Sequence, residues 1–502
     1  MSRTTTISRT VIALVSATVL AIAVLVAVAT PQAAGADDRA ERWAGYRIPA
    51  TGRAAGGWIG GYRIGRTPVF VITPDRRPNR GGFRRADPTD DLAGRKGASR
   101  RETRRAAWIL SKYGGYKDAE QAAAVDAAVL HLLGGRGWRL GAARGAGRVR
   151  ASGDPATVRR FVRLMLRQSR ASAGRYRAAV LPAAADVGGV TSVTVRVTDG
   201  HGGPVSGLPV TVTSPDGGAS APAAGPVEAV TGDDGRALVR LAAPLAGWRT
   251  VVARVGQVPE HRLRVRGADR TGQAAVAEGG VRRVIVASAP AAVRGPQSLS
   301  LAPVPASLSV GAQARVAATV HGDGSARAAT ADLFGPFATA TSVACTGRSV
   351  GAVSTSLPGD GTHTLPSVTP ASGGYYAWRV DVDGTATSIP ATSCGAVVKV
   401  LGRPVTSLTW APAVPAATTN VTATATVSGI PFPAQVKVRI TLYDDNSCSG
   451  AIASDELTRF NNGAVSRDFF VETPGAYSWR ADTVLGDLWV GTSSPCLPMT
   501  VQ

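Results

Sequence analysis

The sequence predicts a multidomain, mainly β chain: an N-terminal α/β (α+β) domain followed by three β-sandwich domains. Three observations lead there. Helical periodicities are confined to the first third of the 502 residues. Downstream, short runs alternating Val, Thr and Ala are punctuated by Gly/Asp turns, the pattern of many short strands. The last third reads as a tandem duplication, with four cysteines placed alike in two copies.

At the start, Arg3 and Arg9 precede an uncharged run from Val11 to Ala29, and Ala34-Gly35-Ala36 follows Pro31. A basic start, an apolar stretch and an A-x-A-like site read as a secretory signal over residues 1–36. The length of the apolar run also fits an uncleaved anchor. Either reading places the rest of the chain outside the cytoplasm. Leu497-Pro498-Met499-Thr500 is not followed by an apolar, basic tail, so no sortase-type anchor is expected there.

Residues 37–183 are expected to form the α+β domain. Trp58–Gly65 and Pro68–Pro74 look like short strands around a turn. Ala106, Ile109, Leu110 and Tyr113 share one helical face, stopped by Gly114-Gly115, and Ala122, Val125, Val129 and Leu132 share another. Asp154-Pro155 suits the cap and first position of a third helix carrying Val158, Phe161, Val162 and Met165. Between Asp37 and Asp186 stand 31 Lys/Arg against 13 Asp/Glu, a net +18 of the chain's +22. The densest basic feature is Arg159, Arg160, Arg163, Arg167 and Arg170 on the third helix. Outside a cell these point to anionic wall polymers, acidic glycans or anionic lipids; nucleic acid is not an expected partner, and membrane contact is expected through the N-terminal segment.

The order of these pieces resembles the thioester domains of Gram-positive surface adhesins. Phe70-Val71-Ile72-Thr73-Pro74 is similar to their Tyr-Cys strand, with Val71 where the cysteine stands. Trp108–Gly114 and Ala122–Val129 are similar to their helical part, with Asp126 about where the glutamine stands. No cysteine precedes Cys345, so the resemblance implies a degenerate copy that forms no thioester.

Residues 184–267 read as a sandwich. Val193–Val197 alternates up to the turn Asp199-Gly200, Val210-Thr211-Val212 follows, and Thr231–Ala237 turns tightly before Leu238–Leu241. With Gly247-Trp248 ahead of Thr250–Val255, this order resembles bacterial Ig-like domains of the invasin type, which implies a spacer or display fold. Asp233-Asp234 and Asp381-Val382-Asp383-Gly384 lack the spread of oxygen ligands that Ca²⁺ requires, and residues 268–296 read as a linker.

The duplication spans residues 297–402 and 403–502. Gly374-Tyr375-Tyr376-Ala377-Trp378-Arg379-Val380-Asp381 matches Gly475-Ala476-Tyr477-Ser478-Trp479-Arg480-Ala481-Asp482, and Ser298–Pro303 matches Ser407–Pro412. Alternation places Tyr376, Trp378 and Val380 on one face, with Tyr477, Trp479 and Ala481 equivalent. The repeat makes disulfide pairing local: Cys345–Cys394 and Cys448–Cys496, one staple inside each copy. The Gly-x-Tyr-x-Trp pattern with a late Cys resembles Ig-like repeats in secreted proteins of high-GC Gram-positive bacteria.

Motifs for catalysis are missing from the sequence: no H-E-x-x-H, no G-x-S-x-G, no Walker loop, and five histidines scattered singly. No catalytic residue, metal or cofactor is expected. The expected function is adhesion or ligand binding by the basic domain displayed on Ig-like modules. The alternative is a structural envelope spacer without a specific ligand.

Overall fold

The computed structural model describes residues 39–50, 56–92, 98–214, 225–431 and 434–502; the leader expected over 1–36 lies outside them. The chain divides into two compact units. One comprises the chain up to Leu166 together with Arg262–Gly280, the other Arg167–His261 with Val281–Gln502.

The first unit opens with β1 (Ala40–Ile48), β2 (Gly57–Ile64), β3 (Thr67–Val71) and β4 (Asp87–Thr89), then α1 (Arg100–Tyr113), α2 (Ala119–Leu133), α3 (Ala143–Arg150) and α4 (Pro155–Ser172), a helix that begins in this unit and continues from Arg167 into the second. Ser99 and Glu102 form a capping box at the start of α1, whose Ala106, Ile109 and Leu110 are buried. Asp118 caps α2, which is apolar nearly all round and is buried from Ala122 to Leu130. The three helices read from the sequence are present. The strands β1 and β4 and the short helix α3 are additional, and α3 lacks a side-chain cap and carries Gly and Arg where apolar periodicity would have marked it.

The second unit starts with β5 (Arg177–Pro182), β6 (Ala185–Asp186), β7 (Val190–Thr198), β8 (Pro209–Thr213), β9 (Val227–Val230), β10 (Arg236–Ala242) and β11 (Gly247–Pro259). Here the chain departs from the expected boundaries. After β11 it forms β12 (Leu263–Arg266) and β13 (Val276–Glu278), and then returns as the thirteen-residue β14 (Arg282–Arg294). Strand β14 closes the sandwich, whose sheets run β10-β7-β5 and β6-β14-β11-β8-β9. The strands β12 and β13 belong to the first unit, whose sheet runs β1-β2-β3-β13-β12-β4.

The linker expected over 268–296 is therefore replaced by a strand of one domain and the last strand of another, and the break at 183/184 falls inside the sandwich that begins at β5. The pairing is specific: Val276 faces Val71, Ala277 faces Phe70, and Leu263 faces Thr89. Glu278, nearly buried, accepts from Arg264 Nε (2.7 Å) and Arg266 Nε (2.8 Å), pinning the hairpin across its own strands. Gly114 at the end of α1 lies against Gly279: a Cβ on Gly279 would stand 2.6 Å from the Gly114 carbonyl oxygen. The Gly280 amide donates to the Leu110 carbonyl at 2.9 Å.

The duplicated copies follow. The first holds β15 (Ser298–Val304), β16 (Ser307–Ser309), β17 (Arg315–His321), β18 (Arg327–Phe337), β19 (Ser349–Leu357), β20 (Gly361–Thr364), β21 (Gly374–Val382) and β22 (Ala391–Leu401), in sheets β15-β17-β20 and β16-β22-β21-β18-β19. The second holds β23 (Val405–Ala411), β24 (Thr419–Ser428), β25 (Gln435–Tyr443), β26 (Ala451–Phe460), β27 (Gly463–Val471), β28 (Gly475–Thr483), β29 (Thr492–Ser493) and β30 (Leu497–Val501). Its sheets are β23-β24-β27 and β26-β25-β28, with β29 and β30 both on β28. These are Ig-like sandwiches, and with the first they make the described chain a mainly β, multidomain protein.

Trp378 and Trp479 are fully buried in the two cores, beside Tyr376 and Tyr477. Each tyrosine hydroxyl donates four residues back, to the Ser372 carbonyl (2.8 Å) and the Thr473 carbonyl (3.0 Å), the corner that ties a strand start to its preceding turn. Cys345 is bonded to Cys394 and Cys448 to Cys496. Neither bridge crosses the core: the first links the loop residue Cys345 to Cys394, exposed on β22, and the second links two loop residues, Cys448 and Cys496, the latter just before β30. At both junctions within this unit the residue after the last strand of one sandwich bridges the next. Gly295 exchanges backbone hydrogen bonds with Thr387 and Ile389, and Gly402 with Leu488 and Val490. Beside the first junction the buried Arg327 donates to Asp360 (2.7 Å), Asp323 (3.2 Å) and the Ser325 carbonyl (2.9 Å).

Two outcomes are expected. Residues 39–176 produced without 262–280 lack two inner strands of their sheet, so near-ultraviolet circular dichroism and urea titration will show no cooperative transition. A sharp transition in that fragment would contradict the assignment. Removing one staple, Cys345→Ser with Cys394→Ser, closes no loop of 49 residues and lowers the stability of that copy by about 4 kcal/mol, read from its denaturation midpoint.

Candidate functional site

The strand β3 alternates, so Val71 and Phe70 face opposite ways. Phe70 is fully buried and touches Gly114 at the end of α1 and Gly61 of β2. Val71 packs on the other side of the sheet, with Val69, Ile64, Phe83 and Val276. The position that the thioester resemblance would equate with a cysteine is thus an aliphatic packing position turned away from Phe70 and the helix end that Phe70 touches.

Asp126 on α2 is equally committed. Its side chain is 0% exposed and meets Arg148 of α3, with Nε at 2.8 Å and Nη2 at 2.7 Å from Oδ2. The same guanidinium donates to the Trp58 carbonyl of β2 at 2.6 Å. Burial pushes the Asp126 carboxyl up, and Arg148 opposes the shift by favouring the charged form. One ion pair thereby joins α2, α3 and β2. His131, on the same helix, is also structural: its Nδ1 accepts from the Leu140 amide at 3.0 Å, and burial pushes its pKa down.

The arginines of α4 are arranged differently. Asp154 caps the helix through the amides of Ala156 (3.1 Å) and Thr157 (3.0 Å). Val158, Val162, Met165 and Ser169 are buried along one side. Opposite them, Arg160, Arg163, Arg167 and Arg170 are exposed. Spacings of three, four and three residues confine the four to roughly 80° of arc, at about 3.6 residues per turn. Arg159 is half-buried at the margin of this row, and Phe161 is half-buried under the Arg160 guanidinium, 5.5 Å from its ring centre. On the neighbouring helix, Arg105 donates to the Leu166 carbonyl of α4 at 2.7 Å.

Elsewhere in the first unit some arginines meet carboxylates, while others, Arg66, Arg76, Arg80 and Arg101 among them, are exposed. Arg63 pairs with Glu41 (2.8 Å), Arg104 with Asp90 (2.8 Å), Arg144 with Asp75 (3.2 Å), Arg148 with Asp126, and Arg264 and Arg266 with Glu278. Among the described residues none of the four exposed α4 arginines forms an ion pair, and no group of three His, Cys, Asp or Glu is placed to hold a metal ion. Sequence reasoning missed Arg148 and Glu278. Their partners lie 22 residues upstream and across an unrecognised hairpin, and only a lone acid inside an apolar helix signalled the first.

No family model matches the chain, and no curated protein matches it. Solved structures resemble it. An I-band fragment of titin shares 11% identity over 65% of this chain and 98% of its own, with a TM-score of 0.34. FdeC, an Escherichia coli adhesin, shares 14% identity over 66% and 97%, with a TM-score of 0.26. Invasin, a bacterial integrin-binding protein, shares 16% identity over 65% and 60%, with a TM-score of 0.24.

Breaking the buried pair from one side will be costly. Asp126→Ala leaves Arg148 without its counter-charge and is expected to cost about 3–5 kcal/mol in urea denaturation, whereas Asp126→Leu with Arg148→Met will cost far less. Equal losses in the single and double variants would mean that packing, not the unpaired charge, sets the cost.

Proposed function

We propose that the chain is an exported, non-enzymatic surface protein whose basic first unit binds an anionic surface while the Ig-like sandwiches display it. The observation that carries this reading is the alignment of four exposed arginines, Arg160, Arg163, Arg167 and Arg170, along one narrow arc of α4, none of them ion-paired among the described residues. Solvated like charges in one row repel one another and gain by meeting an anionic partner. Export is supported by the signal-like residues 1–36 and by two disulfides, which persist in oxidising compartments. Kinship with thioester domains, if taken up, is ancestry without the chemistry: Val71 and Asp126 serve packing and an ion pair. The partners on this reading are anionic wall polymers, acidic glycans or anionic lipids, bound without a cofactor.

Sedimentation of the purified chain from residue 37 onward with isolated cell walls and with anionic liposomes, across a salt series, tests it. Saturable binding that survives about 0.15 M salt is expected, where the Debye length is about 8 Å. Binding that vanishes at modest salt would leave generic charge attraction and favour a spacer role.

A further inference from the structure

The reading of the first unit as an anion-binding module leaves open what form of anion it takes, and α4 bears on that. We infer that the α4 arginine row is a site for an extended phosphodiester chain, a polyanion with one charge per repeat, laid along the helix axis.

The residues constrain the shape of the ligand. The cations form a line: Arg160, Arg163, Arg167 and Arg170 occupy one narrow arc of a single unbroken helix. Ten residues separate the first from the last, a span of roughly 15 Å at 1.5 Å per residue. Successive Cβ atoms stand about 5–6 Å apart, so each guanidinium meets a separate anionic group. A compact anion such as a single phosphate reaches one or two of them, and a chain reaches all four.

The exposed surface of the row holds no apolar anchor. From Arg160 to Arg170 every exposed position is an arginine; Leu164 and Leu166 are half-buried and Val162 and Met165 are buried. A helix that lies in a bilayer interface presents a large apolar side chain to the acyl boundary beside its cations, and this face presents none.

Chemistry favours the phosphodiester. Its two free oxygens match the guanidinium fork, which donates two parallel N–H bonds. One charge per repeat matches one arginine per turn. Competition within the chain is slight: none of the four is ion-paired among the described residues, and the carboxylate at the helix start, Asp154, which Arg160 helps to hold ionised, is engaged by the amides of Ala156 and Thr157.

The test presents one headgroup chemistry in three geometries to the chain from residue 37 onward: glycerol phosphate monomer, a linear poly(glycerol phosphate), and phosphatidylcholine vesicles containing phosphatidylglycerol. Binding is followed by fluorescence anisotropy for the chain and by sedimentation for the vesicles. The linear polymer should bind at least about 100-fold more tightly than the monomer. With four contacts at about 0.7 each, log affinity against log salt should fall with a slope near −3, about 50-fold between 50 and 200 mM. Arg163→Glu with Arg167→Glu should weaken polymer binding at least about 30-fold and roughly halve the slope. The same charge change at the exposed Arg76 and Arg80 should cost less than about threefold. Circular dichroism establishes that both variants are folded.

Equal losses in the two double variants would show that the unit responds to net charge and would overturn the α4 assignment while keeping the anion-binding reading. Vesicles matching the polymer in affinity per phosphate would overturn the linear-chain proposal in favour of a membrane surface. A sulfated polysaccharide competing as strongly as the polymer would overturn the phosphodiester assignment. No binding in any geometry would remove the proposal and the functional reading together.

Discussion

An inner strand must be hydrogen-bonded on both sides, and between β3 and β4 that requirement is met by residues far downstream. The strands β12 and β13 fill the gap, bringing Leu263, Val265, Val276 and Ala277 into burial and Glu278 into contact with two arginines. The first unit is therefore incomplete until the chain has passed through β11, and β14 must leave from the end of the hairpin that completed it. Such pairing between Val71 and Val276 is non-local and pays its loop-closure entropy before any contact repays it. Small residues make the seat possible: Gly114 and Gly279 approach so closely that a side chain on either would displace the backbone of the other.

The second unit reaches stability by repeating one solution. Its cores rely on small and β-branched residues: in the first copy Ala314, Ala318, Ala329 and Ala331 sit among valines around a single tryptophan. A core of that kind buries less apolar surface per residue than one built on Leu and Phe. The tyrosine corner, the surface disulfide and the glycine bridge at each junction supply order that side-chain volume does not. Each device acts locally, within a copy or between neighbours, which is why it survives duplication without modification. Arg327 is an exception, present in the first copy where Val436 occupies the corresponding place in the second.

Local devices are also what a sequence exposes. The strand carrying Trp378, the pairing of the four cysteines, the capped helices and the count of sandwiches followed from alternation, periodicity and the internal repeat. The hairpin did not. Its β13 is three residues long, its turn is rich in Gly, Ala and Asp, and its partners are β3 and β4. Nothing in a short segment of that composition separates a linker from an inserted strand, because the deciding energy is the vacancy in a distant sheet. The same limit applies to Asp126. Its place on an apolar helix marked it as unusual, but the guanidinium that explains it arrives on α3, a helix with no apolar periodicity to reveal it.

Charge separates structural from available chemistry in the first unit. A buried carboxylate such as Asp126 or Glu278 costs several kcal/mol to desolvate unless a cation meets it, so the arginines facing those groups are fixed by folding. Surface pairs such as Arg63–Glu41 contribute little stability, yet each still cancels a charge locally. Of the charge that remains after these cancellations, four residues stand in line on α4, a helix anchored by Val158, Val162 and Met165 and capped by Asp154. Folding needs only that buried side and the cap. The opposite side is free of packing demands, and four residues there carry the same positive charge although mutual repulsion disfavours the arrangement. A fold tolerates such a row at small cost, but it gains nothing from it. On the proposed reading the gain comes from outside the chain, from an anion whose charges are spaced along a line.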